Sequence, residues 1–318
     1  MTSRLWQITS VVLLLALVGV ALHAYVLGGR EMVNVKKLHD KYPLIDISRH
    51  FISKKDFLPT LQPLRERLYD FVASEKDMNV SVYIEFLNTG ANIHINPETR
   101  FFPASFAKIP LALAVMGTVE NGRWTLDKPL SLEDRDRAPL PSTIRTRPVG
   151  TRFTVKELLE ELLVRSDNTA YKMFLRNIPQ SEILAVKEAI GLEDLFNEEG
   201  KVTAKEFSRT MRALYTASYL NREDSEFLLE LLNRSEFKDF LRRPIPEEIP
   251  FPHKYGVSYV SHSYNDSGIV YLPDRPYLIT VMMEIKGEID EKAERERATR
   301  VMGTISNMSY KFFSDAGI

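Results

Sequence analysis

The segment Phe102-Pro-Ala-Ser105-Phe-Ala-Lys108-Ile-Pro-Leu-Ala-Leu-Ala-Val-Met116 decides how the rest of the chain is read. Beyond Lys108 every residue is apolar, so a helix running through it has no face for solvent and belongs inside a core. Only its first turn is polar. Residues three apart lie on one helical face, so Ser105 and Lys108 meet at the buried N-terminal end, where free backbone N–H groups and the helix dipole favour negative charge. A desolvated lysine has a lowered pKa and can take the proton of a neighbouring hydroxyl, which makes Ser105 a candidate nucleophile and Lys108 its base. The same Ser-x-x-Lys spacing recurs at Ser235 and Lys238, in a stretch of ordinary mixed polarity. The alternative is that Ser105 caps the helix and Lys108 reaches solvent; the tetrapeptide alone does not decide between them, and it is the buried context of the first copy that carries the argument.

Outward from this segment the pattern changes on both sides. Leu61, Leu64, Leu68 and Phe71 recur at helical spacing; Val80 to Phe86 and Ala91 to Ile95 read as two strands joined by the turn Asn88-Thr89-Gly90. Toward the C-terminus, Val257 to Ser261, Gly268 to Leu272 and Tyr277 to Ile285 read as three further strands, followed by a helix over about Glu288 to Phe313, while Pro103 to about Arg243 reads as helical. Helix, two strands, a block of helices, three strands and a last helix predict an α/β (α+β) chain. Its five-stranded antiparallel sheet would be flanked by the terminal helices and carry an all-helical insertion, with the chemistry in the cleft between them.

Two further elements place polar residues on that cleft. Thr154-Val-Lys-Glu157 is a capping box opening a helix with the apolar stripe Val155, Leu158, Leu159, Leu162 and Leu163, and this helix delivers Ser166-Asp167-Asn168 at its end. A second serine there can relay a proton to a leaving nitrogen while Asn168 contacts a substrate amide; alternatively these are ordinary polar residues at a helix end. His253-Lys254-Tyr255-Gly256 then opens a strand. Gly256 permits close backbone approach, so the N–H of Val257 can share a developing oxyanion with that of Ser105.

In order and context these elements resemble the Ser-x-x-Lys, Ser-Asp-Asn and Lys-Thr-Gly motifs of class A β-lactamases and related penicillin-binding proteins. The resemblance runs from about Phe57 to Phe313 and includes Val149-Gly-Thr-Arg-Phe-Thr-Val-Lys-Glu157 before the second motif and Asn265-Asp266 after the third. It implies the β-lactamase-like fold and an acyl-enzyme formed at Ser105 from a β-lactam or a peptidoglycan-derived D-Ala-D-Ala-like peptide. Lys108 would be the base, Ser166 the proton shuttle, Asn168 a substrate contact and Lys254 an electrostatic clamp. There are two departures from the family pattern. Tyr255 stands where a small hydroxyl residue helps hold the substrate carboxylate. Glu193 and Asn197 keep the spacing of the family's deacylating glutamate and its asparagine, but in a stretch that looks short before a helix starting near Thr203. Glu193 is thus a candidate deacylation base, and the short stretch implies slow release of the acyl group; an acidic loop with no such role is the alternative.

The 318 residues carry 44% hydrophobic and 27% charged side chains, a formal net charge of −1 and no cysteine. That balance gives no pull toward nucleic acid and leaves no thiol nucleophile, disulfide or thiolate metal site. No His-Glu-x-x-His motif or glycine-rich phosphate loop occurs, so neither a metal nor a cofactor is expected. From Leu5 to Leu27 no side chain is charged, enough to span about 30 Å of hydrocarbon as a helix. The residues after Leu22 offer no clear small-x-small cleavage site. These features predict a transmembrane anchor over residues 1–30, a spacer over 31–56 and an extracytoplasmic catalytic domain over 57–318, with the insertion at about 103–243. Two rival functions stand beside this one: a Ser-His-Asp hydrolase using His262 and Asp266, for which no Gly-x-Ser-x-Gly elbow exists, and a tethered binder of cell-wall peptides that keeps the fold without catalysis.

Overall fold

In the computed structural model, which describes residues 43–44, 61–192, 200–287 and 290–315, the run around Leu64 and Leu68 forms helix α1 (Gln62–Ser74), with Leu64, Leu68 and Val72 buried. Strands β1 (Met78–Phe86) and β2 (Asn92–Ile95) make the expected hairpin, in the register Val82 opposite Ile95. Gly90 sits in its turn at φ 77°, a left-handed conformation that glycine adopts without steric cost.

The central block follows. It contains α2 (Lys108–Glu120), a two-stranded ribbon of β3 (Pro129–Ser131) and β4 (Arg152–Thr154), and then α3 (Val155–Leu163), α4 (Asn168–Asn177), α5 (Gln180–Ile190), α6 (Ala204–Tyr215) and α7 (Arg222–Asn233). The chain closes with β5 (His253–Ser258), β6 (Ser263–Val270), β7 (Tyr277–Ile285) and α8 (Glu291–Asp315). The sheet is antiparallel throughout, in the order β2-β1-β7-β6-β5. β5 is therefore an edge strand.

Two cores share this sheet. The alternation of β7 divides its side chains: Ile279, Val281, Met283 and Ile285 pack with Leu64 and Leu68 of α1 and with Val301, Met302 and Ile305 of α8. Leu278 and Met282 join the helical block on the opposite face. A strand covered on both faces reads as a continuous apolar run, as β7 does. Within the block α2 is buried from Lys108 through Met116, as its lack of a polar face requires. The helices around it start where their caps dictate: Thr154 accepts from the Glu157 amide at 3.1 Å, and Thr203 from that of Glu206 at 3.2 Å.

The structure corrects three expectations. The central block is not wholly helical, because the short β3–β4 ribbon and the loop between its strands precede α3, and residues 234–252 are irregular. The strands expected at Val257–Ser261 and Gly268–Leu272 lie earlier, with the turn at residues 259–262, since Asn265 and Asp266 find buried partners and so can sit inside a strand. Ser105 lies in a 3₁₀ turn (Ala104–Ala107) that leads into α2 rather than in the α-helix itself.

The predicted anchor Leu5–Leu27 and most of the spacer lie outside the described residues; among those described, no helix is long and apolar enough to cross a membrane. Leu44 of the spacer is described and buried. Its amide donates to both carboxylate oxygens of Glu226 at 3.1 and 2.9 Å, and its carbonyl accepts from the Tyr271 hydroxyl.

Candidate active site

Ser105 is presented by a bend. Ala104 holds a left-handed φ of 50°, uncommon for a residue with a Cβ, and the 3₁₀ turn that follows places Lys108 below the serine. The Lys108 amine lies 3.1 Å from Ser105 Oγ, 3.0 Å from Ser166 Oγ, 2.5 Å from the Ser166 carbonyl and 2.7 Å from Asn168 Oδ1. Two of these four partners can only accept. A neutral amine has two N–H groups, which the Ser166 carbonyl and Asn168 Oδ1 can take, leaving its lone pair for a hydroxyl. Burial pushes the Lys108 pKa down to about 7 against the opposing pull of Asp167, so near neutral pH this amine is poised to accept the Ser105 proton.

The opposite wall is β5. A Cβ on Gly256 would lie 2.7 Å from the Pro103 carbonyl and 3.1 Å from the Ser105 amide nitrogen, so only glycine lets the strand come this close to the Ser105 turn. Val257 follows on the same edge strand, which packs against that turn. Asn265, one strand inward, donates from Nδ2 to the Phe102 carbonyl at 3.0 Å and ties the turn to the sheet. Lys254 is fully buried and donates to Ser166 Oγ at 2.9 Å and to the Tyr255 carbonyl at 3.0 Å. Burial, then repulsion from Lys108, holds its pKa well below the ordinary lysine value, with Asp266 opposing. Ser166 Oγ thus bridges the two lysines, on a backbone held at φ 57°.

That backbone is held by Asp167. One oxygen of its carboxylate accepts from the Thr169 and Ala170 amides at 2.7 and 2.8 Å, capping α4, and from Ser142 Oγ at 3.0 Å; the other accepts from the Thr143 and Ile144 amides at 2.5 and 3.2 Å. The loop that Asp167 gathers also supplies the Pro141 carbonyl for the Asn168 amide at 2.8 Å and the Pro139 carbonyl for Asn168 Nδ2 at 3.2 Å. Sequence reasoning aimed Asn168 at substrate, whereas here its side chain bridges this loop and Lys108.

Ser105, Lys108, Ser166, Asn168, Lys254, Gly256 and Val257 therefore converge on one cleft, while Glu193 and Asn197 lie outside the described residues. Asp167 and Asn265 were not assigned roles from sequence. A carboxylate immediately before a helix is a readable cap, and Asn265 stands out as a polar residue in a buried strand.

The rival triad is not assembled. His262 pairs with Glu294 at 2.6 Å, Asp266 pairs instead with His253 at 2.9 Å, and the Nε2 of His253 is buried with no partner among the described residues. The second Ser-x-x-Lys is equally inert: Ser235 is buried in the loop after α7 and Lys238 is exposed.

The model of the beta-lactamase enzyme family matches residues 63–313 of this chain. Beta-lactamase VEB-1 of Pseudomonas aeruginosa is 20% identical over 76% of the chain and 88% of its own length. A beta-lactamase of Bacillus licheniformis is 26% identical over 76% and 84%. Among solved structures, PBP-A superposes with a TM-score of 0.72 at 21% identity, over 80% of this chain and 97% of PBP-A. A mutant of PBP-A, seen as its acyl-enzyme complex with penicillin G, matches equally well.

Replacing Asp167 by alanine leaves several buried N–H groups without acceptors, so Asp167→Ala should lower stability by about 3 kcal/mol, read by chemical denaturation. A loss under about 0.5 kcal/mol would mean that the loop does not depend on this carboxylate.

Proposed function

Because the chain belongs to the beta-lactamase enzyme family and is a serine hydrolase, we propose that it forms an acyl-enzyme at Ser105 with β-lactams or D-Ala-D-Ala-like peptides and releases the acyl group slowly. The observation that carries this reading is the Lys108 amine, buried and 3.1 Å from Ser105 Oγ with its pKa lowered to about 7. Neutral Lys108 takes the hydroxyl proton as Ser105 Oγ bonds to the carbonyl carbon. The amides of Ser105 and Val257 receive the oxyanion. On collapse the C–N bond breaks, and the nitrogen takes a proton through Ser166, resupplied by the lysine pair. PBP-A, whose mutant holds penicillin G as an acyl-enzyme, lends the reading support by analogy of fold.

Slow release rests on the connection between α5 and α6. Gly191 ends α5 in a left-handed conformation and Thr203 already caps α6, which leaves a short connection to carry Glu193 to the acyl group. A second reading, in which Glu193 activates the deacylating water, draws on the Phe101–Val202 pair: Phe101 N meets Val202 O at 2.9 Å and Val202 N meets Phe101 O at 3.0 Å, bringing the end of that connection beside the approach to Ser105. We further place the domain outside the cytoplasm, held by Leu5–Leu27 as a membrane anchor.

Prolonged exposure to a β-lactam should add its mass to the peptide holding Ser105, with no adduct in Ser105→Ala; equal labelling of the two would refute the assignment. Acylation requires the neutral amine, so its rate should be low in acid, rise as the pH passes about 7 and level off above, and Lys108→Ala should slow it by about 10² or more. With a chromogenic cephalosporin, a burst of about one equivalent followed by slow turnover is expected, unchanged in Glu193→Gln. Fast turnover abolished by that substitution would establish the second reading. Fractionation should leave the protein in the membrane with its N-terminus intact, whereas a soluble product starting after about Ala24 would overturn the anchor.

A further inference from the structure

Tyr255, where the sequence departs from the family pattern, is not a passive replacement. The Lys254 amine is covered from three directions: by Ser166 Oγ at 2.9 Å, by the Tyr255 carbonyl at 3.0 Å, and by the Tyr255 ring, whose centroid lies 4.4 Å away. That ring is held in place. It stacks on Phe237 at 3.7 Å between centroids and 13° between planes, and Phe237 in turn meets Phe240 edge-on at 4.8 Å. The Arg295 guanidinium sits 5.5 Å from the Phe237 ring and is engaged by Asp239 at 3.0 Å. Burial raises the Tyr255 phenol's pKa, opposed by Arg295 and by the Ser166 side chain, so the phenol stays neutral and faces the shuttle serine.

Tyr255 and Phe237 both remain partly exposed, so their rings form a surface of the cleft rather than part of a sealed core. They lie on the side where Ser166 would hand a proton to the leaving group. A carboxylate there would be stripped of water against aromatic carbon while the Lys254 amine stayed shielded behind the ring, and Arg295 would first have to release Asp239. A neutral apolar or aromatic group meets a ready stacking surface.

We propose that the Tyr255–Phe237 shelf sets the specificity of the leaving-group side, selecting acyl donors that are neutral there: esters or amides whose departing portion is uncharged and apolar or aromatic, without a free carboxylate. This rests on Ser105 being the acylated nucleophile and narrows the class of donor: among those named above, D-Ala-D-Ala-like peptides and free-acid β-lactams become the slower donors, and forms whose carboxylate is masked the faster ones. The Ser105 Oγ–acyl bond still forms as the donor's C–N or C–O bond breaks, with the proton going to the departing atom.

The test compares benzylpenicillin with its methyl ester, which differ at the carboxylate alone, by the rate of mass addition at Ser105 in wild type, Tyr255→Thr and Tyr255→Phe. In wild type the ester should react at least as fast as the free acid. Tyr255→Thr should shift the ratio tenfold or more toward the acid, while Tyr255→Phe, which keeps the ring, should leave it as in wild type. A wild-type preference of tenfold or more for the free acid, or a ratio unmoved in Tyr255→Thr, would overturn the proposal. A fluorophosphonate, a small serine-reactive probe without a carboxylate, is run on every variant as a separate arm. Labelling of Ser105 by the fluorophosphonate but by neither penicillin would overturn the shelf and leave the nucleophile standing. No labelling of Ser105 by any of the three would defeat the nucleophile itself, and the shelf with it.

Discussion

A lysine buried at the head of an apolar helix needs several acceptors at once, and this requirement organises the molecule around Lys108. Its own helix cannot supply them, because α2 is apolar from Ile109 through Met116 and its backbone carbonyls are engaged along the helix. They come from the junction between α3 and α4, where the Ser166 backbone bends into the left-handed region to aim its carbonyl, its hydroxyl and the Asn168 amide at one nitrogen. That bend has a conformational cost which Asp167 offsets with its fan of N–H donors. Removing water from the amine lowers its pKa, and the geometry that satisfies it also leaves a hydroxyl opposite its lone pair. Burial, strain and reactivity are one arrangement.

A second lysine approaches the same hydroxyl from the sheet. Lys108 and Lys254 share Ser166 Oγ, and burial, then the nearby Lys108, disfavours protonation of Lys254. The two amines and the hydroxyl between them are thus linked across the cleft, one lysine from the helical block and one from the sheet. β5 can bring Lys254 there only because Gly256 lets the edge strand touch the Ser105 turn and because Asn265 anchors that turn from the neighbouring strand.

Much of this was legible in the sequence because it rests on local chemistry. The periodicity of Leu64 and Leu68, the apolar run of β7, the capping box at Thr154 and the all-apolar helix after Lys108 each report a backbone state directly. So did the meeting of Ser105 with Lys108, which needs only helical spacing. What was not legible depends on partners far along the chain. Asn265 and Asp266 look too polar for a strand until the Phe102 carbonyl, the Leu241 amide and the His253–Asp266 pairing are known, so β6 and the end of β5 were placed too far along. Asn168 looked free for substrate because nothing local announces the Pro139 carbonyl. The aromatic stack of Tyr255 on Phe237 joins two segments that no periodicity connects.

The seat of Leu44 has a mechanical meaning. Its amide is gripped by both oxygens of Glu226 on α7, its carbonyl by Tyr271 just past the end of β6, and its side chain is sunk in the core of the helical block. A pull on the N-terminal segment is therefore borne first at this clasp, between the helical block and the sheet, and not at the start of α1.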